Sequence, residues 1–190
     1  MAGPNGSGKS SSYQTLDVEA SARSVWIINP DLLTLHLREA EGLSLYDANL
    51  QAVRRIEAWL EASIRAHQSV GVETVLSTDK YRRLVVAAKA LRFLVRLTYV
   101  ILDSPQRCIE RVRQRVKKGG HAVPKDKIVE RYARSLGQLP WFLDQADEAW
   151  LLDNSDASPK LMGRKQDGVV ALDPDALPQV VAAVEKIRTV

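Results

Sequence analysis

Cysteine is almost missing from this chain: Cys108 is the single thiol in 190 residues. That excludes an internal disulfide and leaves packing to hold the fold, as is usual in a reducing compartment. Long apolar runs are missing too. No stretch reaches the roughly 18 apolar residues of a membrane span, and the N-terminus carries no apolar signal core, so a soluble, cytoplasmic protein is expected, with no membrane partner. Aromatics make up 6% of the residues, and they are not interleaved with the basic ones, which argues against nucleic acid as a partner. A net charge of +4 suits a protein that handles anions without choosing among them. The 45% of hydrophobic residues suffices for one core, and a single domain over 1–190 is expected.

Apolar, β-rich runs occur at 24–28, 72–76, 94–102 and 149–152, separated by longer segments with helical spacing. This alternation predicts an α/β fold with a mainly parallel sheet. The clearest helix covers 45–67, where Tyr46, Leu50, Val53, Ile56, Leu60 and Ile64 form one apolar stripe. Further helices are predicted at 81–91, 105–117, 124–136 and 174–187, and the segment 154–168 reads as a turn-rich connection or loose hairpin.

Near the amino end, Gly3-Pro4-Asn5-Gly6-Ser7-Gly8-Lys9-Ser10 fits the pattern G-x-x-x-x-G-K-[ST]. Such a loop curls so that backbone N–H groups face phosphate oxygens, and the helix that follows adds its positive dipole end. Gly6 and Gly8 allow the close approach, Lys9 offers a point charge to the β and γ phosphates, and the Ser10 hydroxyl is a ligand for Mg²⁺. The nucleotide-binding set is therefore Asn5, Gly6, Ser7, Gly8, Lys9, Ser10 and Ser11. The bland alternative is a flexible Gly/Ser-rich terminus. Only Met1 and Ala2 precede the loop, whereas such loops normally follow a buried strand. The first strand is therefore expected to be missing, so that the chain starts late or another segment fills its place in the sheet.

Asp31 follows the apolar run to Ile28 by a short Asn-Pro step, at the carboxyl end of a strand, where open α/β sheets bind ligands. It reads either as a base or orienting group for an attacking hydroxyl or as a helix N-cap. Glu73 opens an otherwise buried run, so it needs a partner there unless it sits in water at the strand end. Arg107, Arg111, Arg115 and Lys118 line one face of a helix, and Lys127, Arg131 and Arg134 line the next. Two basic stripes joined at Gly119-Gly120 form either a lid over polyphosphate, spanning about 105–136, or two solvated faces. His121 either contacts phosphate or caps the Gly120 turn. Asp103 reads as a helix N-cap rather than a metal ligand.

Five segments taken in order carry a family resemblance: the loop AGPNGSGKS, then Ile28-Asn29-Pro30-Asp31, then Glu73-Thr74-Val75-Leu76-Ser77. Arg115 through Gly119-Gly120-His121-Ala122-Val123-Pro124 to Arg131-Tyr132-Ala133-Arg134-Ser135-Leu136 follows, then Asp153-Asn154-Ser155. Together they resemble the zeta-toxin-like P-loop kinases over Gly3 to about Ser155. The resemblance implies a three-layer P-loop fold with a helical lid and ATP-dependent transfer of the γ-phosphate to a hydroxyl of a small acceptor, which in the toxins proper is UDP-N-acetylglucosamine. It implies that Asp31 is the base, that Glu73, Thr74 and His121 contact the acceptor, and that Arg115, Arg131 and Arg134 stabilise the moving phosphoryl group. Glu73 is also read as a contact to a Mg²⁺-bound water. Asn154 would lie near the adenine, and an antitoxin protein would be the partner. The alternative function is a nucleotide-binding module without turnover.

Overall fold

The computed structural model describes residues 1–12 and 26–187. The phosphate loop leads into a single helical turn, α1 (Lys9–Ser12), and the described chain resumes at strand β1 (Trp26–Ile28). The predicted strand at 24–28 is thus seen from Trp26 onward, Ser24 and Val25 lying outside the described residues. A helical hairpin follows, α2 (Pro30–Glu41) and α3 (Leu45–Arg65), then β2 (Val70–Val72), α4 (Arg82–Ala90) and β3 (Arg96–Ile101). The second half runs α5 (Pro105–Lys117), α6 (Lys125–Gln145), β4 (Glu148–Asp153), β5 (Lys160–Gln166), β6 (Val169–Leu172) and α7 (Pro178–Glu185).

β1 pairs with β2 and β3 with β4, both parallel, while β5 and β6 add antiparallel strands beyond β4. The turn at Asp167-Gly168, with φ of 52° and 77°, has the two left-handed residues of a type I′ hairpin, whose twist matches that of the strands it joins. Of the turn-rich segment 154–168, residues 160–168 are therefore the first strand and the turn of a hairpin that β6 completes.

The two sheets are joined by the residues in front of the phosphate loop. The Ala2 N–H donates to the Thr98 carbonyl (2.7 Å) and its carbonyl accepts from Val100 (2.9 Å). On the other side Thr74 donates to the Met1 carbonyl (3.0 Å) and Gly3 donates to Thr74 (3.1 Å). Met1–Gly3 thus occupy the central place between β2 and β3, in parallel register with both. Met1–Gly3 take the place in the sheet that the sequence left open, and the loop is anchored from both sides. Below this short stub lies an apolar cavity of about 200 Å³ between β2 and β3, walled by Leu60, Ile64, Leu84, Leu97 and Phe142.

The Met1 nitrogen donates to the Val72 carbonyl (3.0 Å), a further tie between this segment and β2.

Two helices depart from the sequence pattern. In α3 the buried stripe is Ala48, Ala52, Ile56, Leu60 and Ile64, while Tyr46, expected inside, is 77% exposed and Leu50 is also on the surface. Leu37 of α2 packs on Ala48 and Ala52, and the small side chains let the two helices approach closely. In α6 the helix continues through Pro140 to Gln145, because Leu139, Phe142 and Leu143 are buried in the main core and their packing outweighs the local cost of the proline. The helical lid expected over 105–136 corresponds to α5, the connection 118–124 and α6. Its helices bury Cys108, Val112, Ile128 and Tyr132 in the core, so the connection is the part that overhangs the site.

Candidate active site

A cleft of about 1100 Å³ opens at the carboxyl ends of β1, β2 and the Met1–Gly3 stub. Asn5, Gly6, Gly8, Lys9 and Ser10 of the loop form its floor, and Asn29, Asp31, Glu73, Thr78, Lys80, Arg111, Arg115, Arg131 and Asn154 line it as well.

The loop is held in its curl from the side. The Asn154 Nδ2 donates to the Ser7 carbonyl (2.7 Å), with Asn154 itself placed by its N–H bond to Ile101 (2.9 Å) at the end of β3. Gly8 has φ of 90°, and a Cβ there would lie 2.1 Å from that Nδ2, so a side chain would be strained and would push the Asn154 brace aside. Asn154, placed near the adenine by resemblance, thus also braces the phosphate loop. Asn154→Ala leaves the Ser7 carbonyl without its buried donor, and we expect a loss of about 1–3 kcal/mol. Calorimetry would show this as a fall of several degrees in Tm, and an unchanged Tm would remove the bracing role.

Lys9 is buried, its ammonium donating to the carbonyls of Gly3 (2.9 Å) and Pro4 (3.1 Å), with Glu73 Oε1 at 4.0 Å. Loss of water lowers its pKa from the usual lysine value, and the neighbouring Glu73 opposes that shift. The Ser10 hydroxyl donates to Glu73 Oε2 (3.0 Å) and Oε1 (3.2 Å), and Asn29 Nδ2 donates to Oε2 (3.2 Å). Glu73 is therefore not a strand-end residue in water: it is buried and bound to the phosphate loop. The hydroxyl and carboxylate side by side form a donor set that fits a hard divalent cation.

Asp31 is relieved of the capping role. Asn29 caps α2, its Oδ1 accepting from the N–H groups of Asp31 (2.9 Å) and Leu32 (3.4 Å), with Pro30 as the first helical residue. The Asp31 carboxylate stays exposed in the first turn and lines the cleft. The cap of α5 is likewise Ser104, not Asp103, which instead accepts from Ser104 and pairs with Arg107 (2.9 Å).

The basic stripes divide. Arg115 lines the cleft and donates to the His121 carbonyl (2.8 Å), tying the overhanging connection to α5. Arg131 reaches Asn5 Oδ1 at 3.4 Å. Arg111, left out of the sequence selection although it lies one turn before Arg115, also lines the cleft and donates to the Asp156 carbonyl (3.3 Å). Arg134, by contrast, is 58% exposed and pairs with Glu130 (2.6 Å), as Lys127 does (2.9 Å), and neither lines the cleft. His121 is exposed and outside the lining, and Thr74 lines the cleft with its hydroxyl accepting from the Leu76 N–H (3.0 Å). The Ser11 side chain lies outside the described residues. Lys80 and Tyr81, which sequence reasoning passed over, also line the cleft, with the Lys80 ammonium 4.6 Å from the Tyr81 ring centroid. Their signal was faint, a polar step just before α4.

A glycine-rich loop feeding a helix from between two parallel strands, with a carboxylate and arginines lining the same cleft, defines a P-loop fold of the kinase-like type. The chain belongs to the AAA domain family AAA_33, whose model matches residues 1–139, and its fold is that of the zeta-toxin-like P-loop kinases. Among curated proteins it is 26% identical over 130 residues to an uncharacterised protein of Haemophilus influenzae, covering 68% of this chain and 88% of that one. Among solved structures it superposes on a chain of the AvrRxo1-ORF1:-ORF2 complex with ATP with a TM-score of 0.69 and 16% identity, over 98% of this chain. It spans 62% of the length of that matched chain. The PezAT toxin-antitoxin system of Streptococcus pneumoniae gives a TM-score of 0.60 at 14% identity, covering 100% of this chain and 86% of the other. Among the described residues no helix is long and apolar enough to cross a membrane.

Proposed function

We propose that this protein is an ATP-dependent kinase that transfers the γ-phosphate of ATP to a hydroxyl of a small acceptor. The observation that carries this reading is that one cleft is lined by the phosphate loop, by the exposed Asp31 and by Arg111, Arg115 and Arg131 together. A nucleotide laid on the loop would share that cleft with a carboxylate and several guanidinium groups, the groups that phosphoryl transfer to a hydroxyl needs.

Backbone N–H groups of Gly6 to Ser10 bind the phosphates, and Lys9 adds a positive charge there. Asp31 accepts the proton of the attacking hydroxyl or orients it. Arg115 and Arg131 neutralise charge on the transferring group. Mg²⁺ bound with the nucleotide supplies further charge neutralisation, and the Ser10 hydroxyl would be one of the groups that hold it. A UDP-amino sugar is the first acceptor to try, since the toxins proper that this chain resembles use one. An antitoxin-like protein covering the nucleotide cleft is the corresponding partner, in keeping with the toxin-antitoxin system among the solved neighbours.

The test is transfer of labelled γ-phosphate from ATP·Mg²⁺ to a panel of sugar nucleotides and small polyols. Labelled acceptor establishes the kinase and starts to identify its substrate. Tight ATP binding without transfer to any acceptor supports the rival reading, a nucleotide-binding module without turnover.

A further inference from the structure

Helix α5 ends in a turn that does more than stop it. Gly119 takes a left-handed φ of 86° and its N–H donates to the Val116 carbonyl (3.0 Å), while the Gly120 N–H reaches back to the Arg115 carbonyl (2.9 Å). This pair of bonds is the Schellman pattern, in which the second residue past the helix cap packs against the side chain about one turn back. Here those two residues are Gly120 and Arg115, so the way the helix ends is enough to bring them together.

The two glycines are glycine for different reasons. Gly119 needs the left-handed backbone, and a Cβ there would meet nothing within 4 Å. Gly120 has no left-handed φ, so its backbone does not call for glycine. What it lacks is room: a Cβ would stand 2.5 Å from Arg115 Cγ, 3.0 Å from the Arg115 carbonyl oxygen and 3.2 Å from Cδ. The stem of Arg115 lies where a side chain at 120 would be.

Beyond the stem, Nη2 donates to the carbonyl of the next residue, His121 (2.8 Å), and Arg115 and Gly120 both line the cleft. The Arg115 Nε is buried with no hydrogen-bond partner among the described residues, which is a cost to the fold. Stability therefore does not account for this placement, whereas reach into the cleft does. The charge is felt at the phosphate loop: the Lys9 pKa, lowered mainly by burial, is lowered further by Arg115.

We infer that Gly120 is a positioning residue for phosphoryl transfer: its missing side chain lets the Arg115 stem lie in the turn, and the His121 carbonyl then fixes the guanidinium toward the group being transferred. The inference rests on the kinase function proposed above. A methyl group at 120 displaces the stem, breaks the bond to His121 and turns the guanidinium away, while the loop that binds ADP stays as it is.

The test is calorimetric titration of ADP·Mg²⁺ with and without aluminium fluoride, a mimic of the phosphoryl group in transfer. It is run on the wild type, Gly120→Ala, Arg115→Ala and the double variant. In the wild type aluminium fluoride should tighten ADP binding about 10²-fold or more. Gly120→Ala should keep its ADP affinity within about twofold and lose about tenfold or more of that gain. The double variant should match Arg115→Ala, because without the stem the methyl group has nothing to displace. A full gain in Gly120→Ala overturns the inference, and so does a double variant that loses clearly more than Arg115→Ala, since Gly120 would then act through something else. Arg115→Ala with the full gain overturns it whatever Gly120→Ala does. In these three outcomes the kinase reading stands; a wild type that binds ADP but gains nothing from aluminium fluoride sinks both.

Discussion

Replacing Lys9 with Ala is expected to lower γ-phosphoryl transfer by about 10³-fold or more. The reason is local. Lys9 is buried at the floor of the cleft, where water cannot screen it, so its charge acts on the phosphates more strongly than a surface lysine would. The carbonyls of Gly3 and Pro4 hold the ammonium at the base of the loop, and no other lysine or arginine among the described residues is within 4.0 Å of Glu73. The same change leaves Glu73 without its nearest cation, so ATP affinity should drop as well. Single-turnover transfer together with ATP titration checks this, and near-normal transfer by Lys9→Ala would take the phosphate-binding role away from Lys9.

Asp31→Asn is expected to reduce kcat about 10²–10⁴-fold while leaving ATP affinity and Tm unchanged. That separation follows from the division of labour in the Asn29-Pro30-Asp31 step. Asn29 holds the helix end, so the exposed Asp31 carboxylate is free of any structural duty among the hydrogen bonds described. The control is Asn29→Ala, which removes the cap and one of the bonds to Glu73. It should cost about 1 kcal/mol of stability, the reverse pattern of Asp31→Asn. Equal kcat for Asp31→Asn and the wild type would take the base role away from Asp31.

The phosphate loop was legible in the sequence because its requirements are local: a few N–H groups must converge within eight residues, and only glycines and one lysine in fixed order allow that. Helix α5 was read to the residue, since Ser104-Pro105 starts it and its polar face repeats every fourth position. The α3 stripe was misread at its amino end because periodicity counts large apolar side chains, whereas the close approach of α2 selects alanines. Among the arginines, spacing placed Arg115, Arg131 and Arg134 on basic faces. It could not show that Glu130, one turn before Arg134, holds that side chain on the outside.

Sequence alone determined the loop, the α/β alternation and the set of charged groups available to the chemistry, because each depends on neighbours along the chain. Tertiary structure decided how the loop is anchored and what Glu73 does. Met1–Gly3 find their place only when β2 and β3 close on both sides of them, through bonds to Val72, Thr74, Thr98 and Val100. Glu73 meets Ser10 across 63 positions of chain, by way of a sheet whose register no local pattern records. Hydrogen bonds between strands are made by backbone atoms that every residue shares, so the pairing that brings hydroxyl and carboxylate to 3.0 Å exists only once the whole sheet has formed.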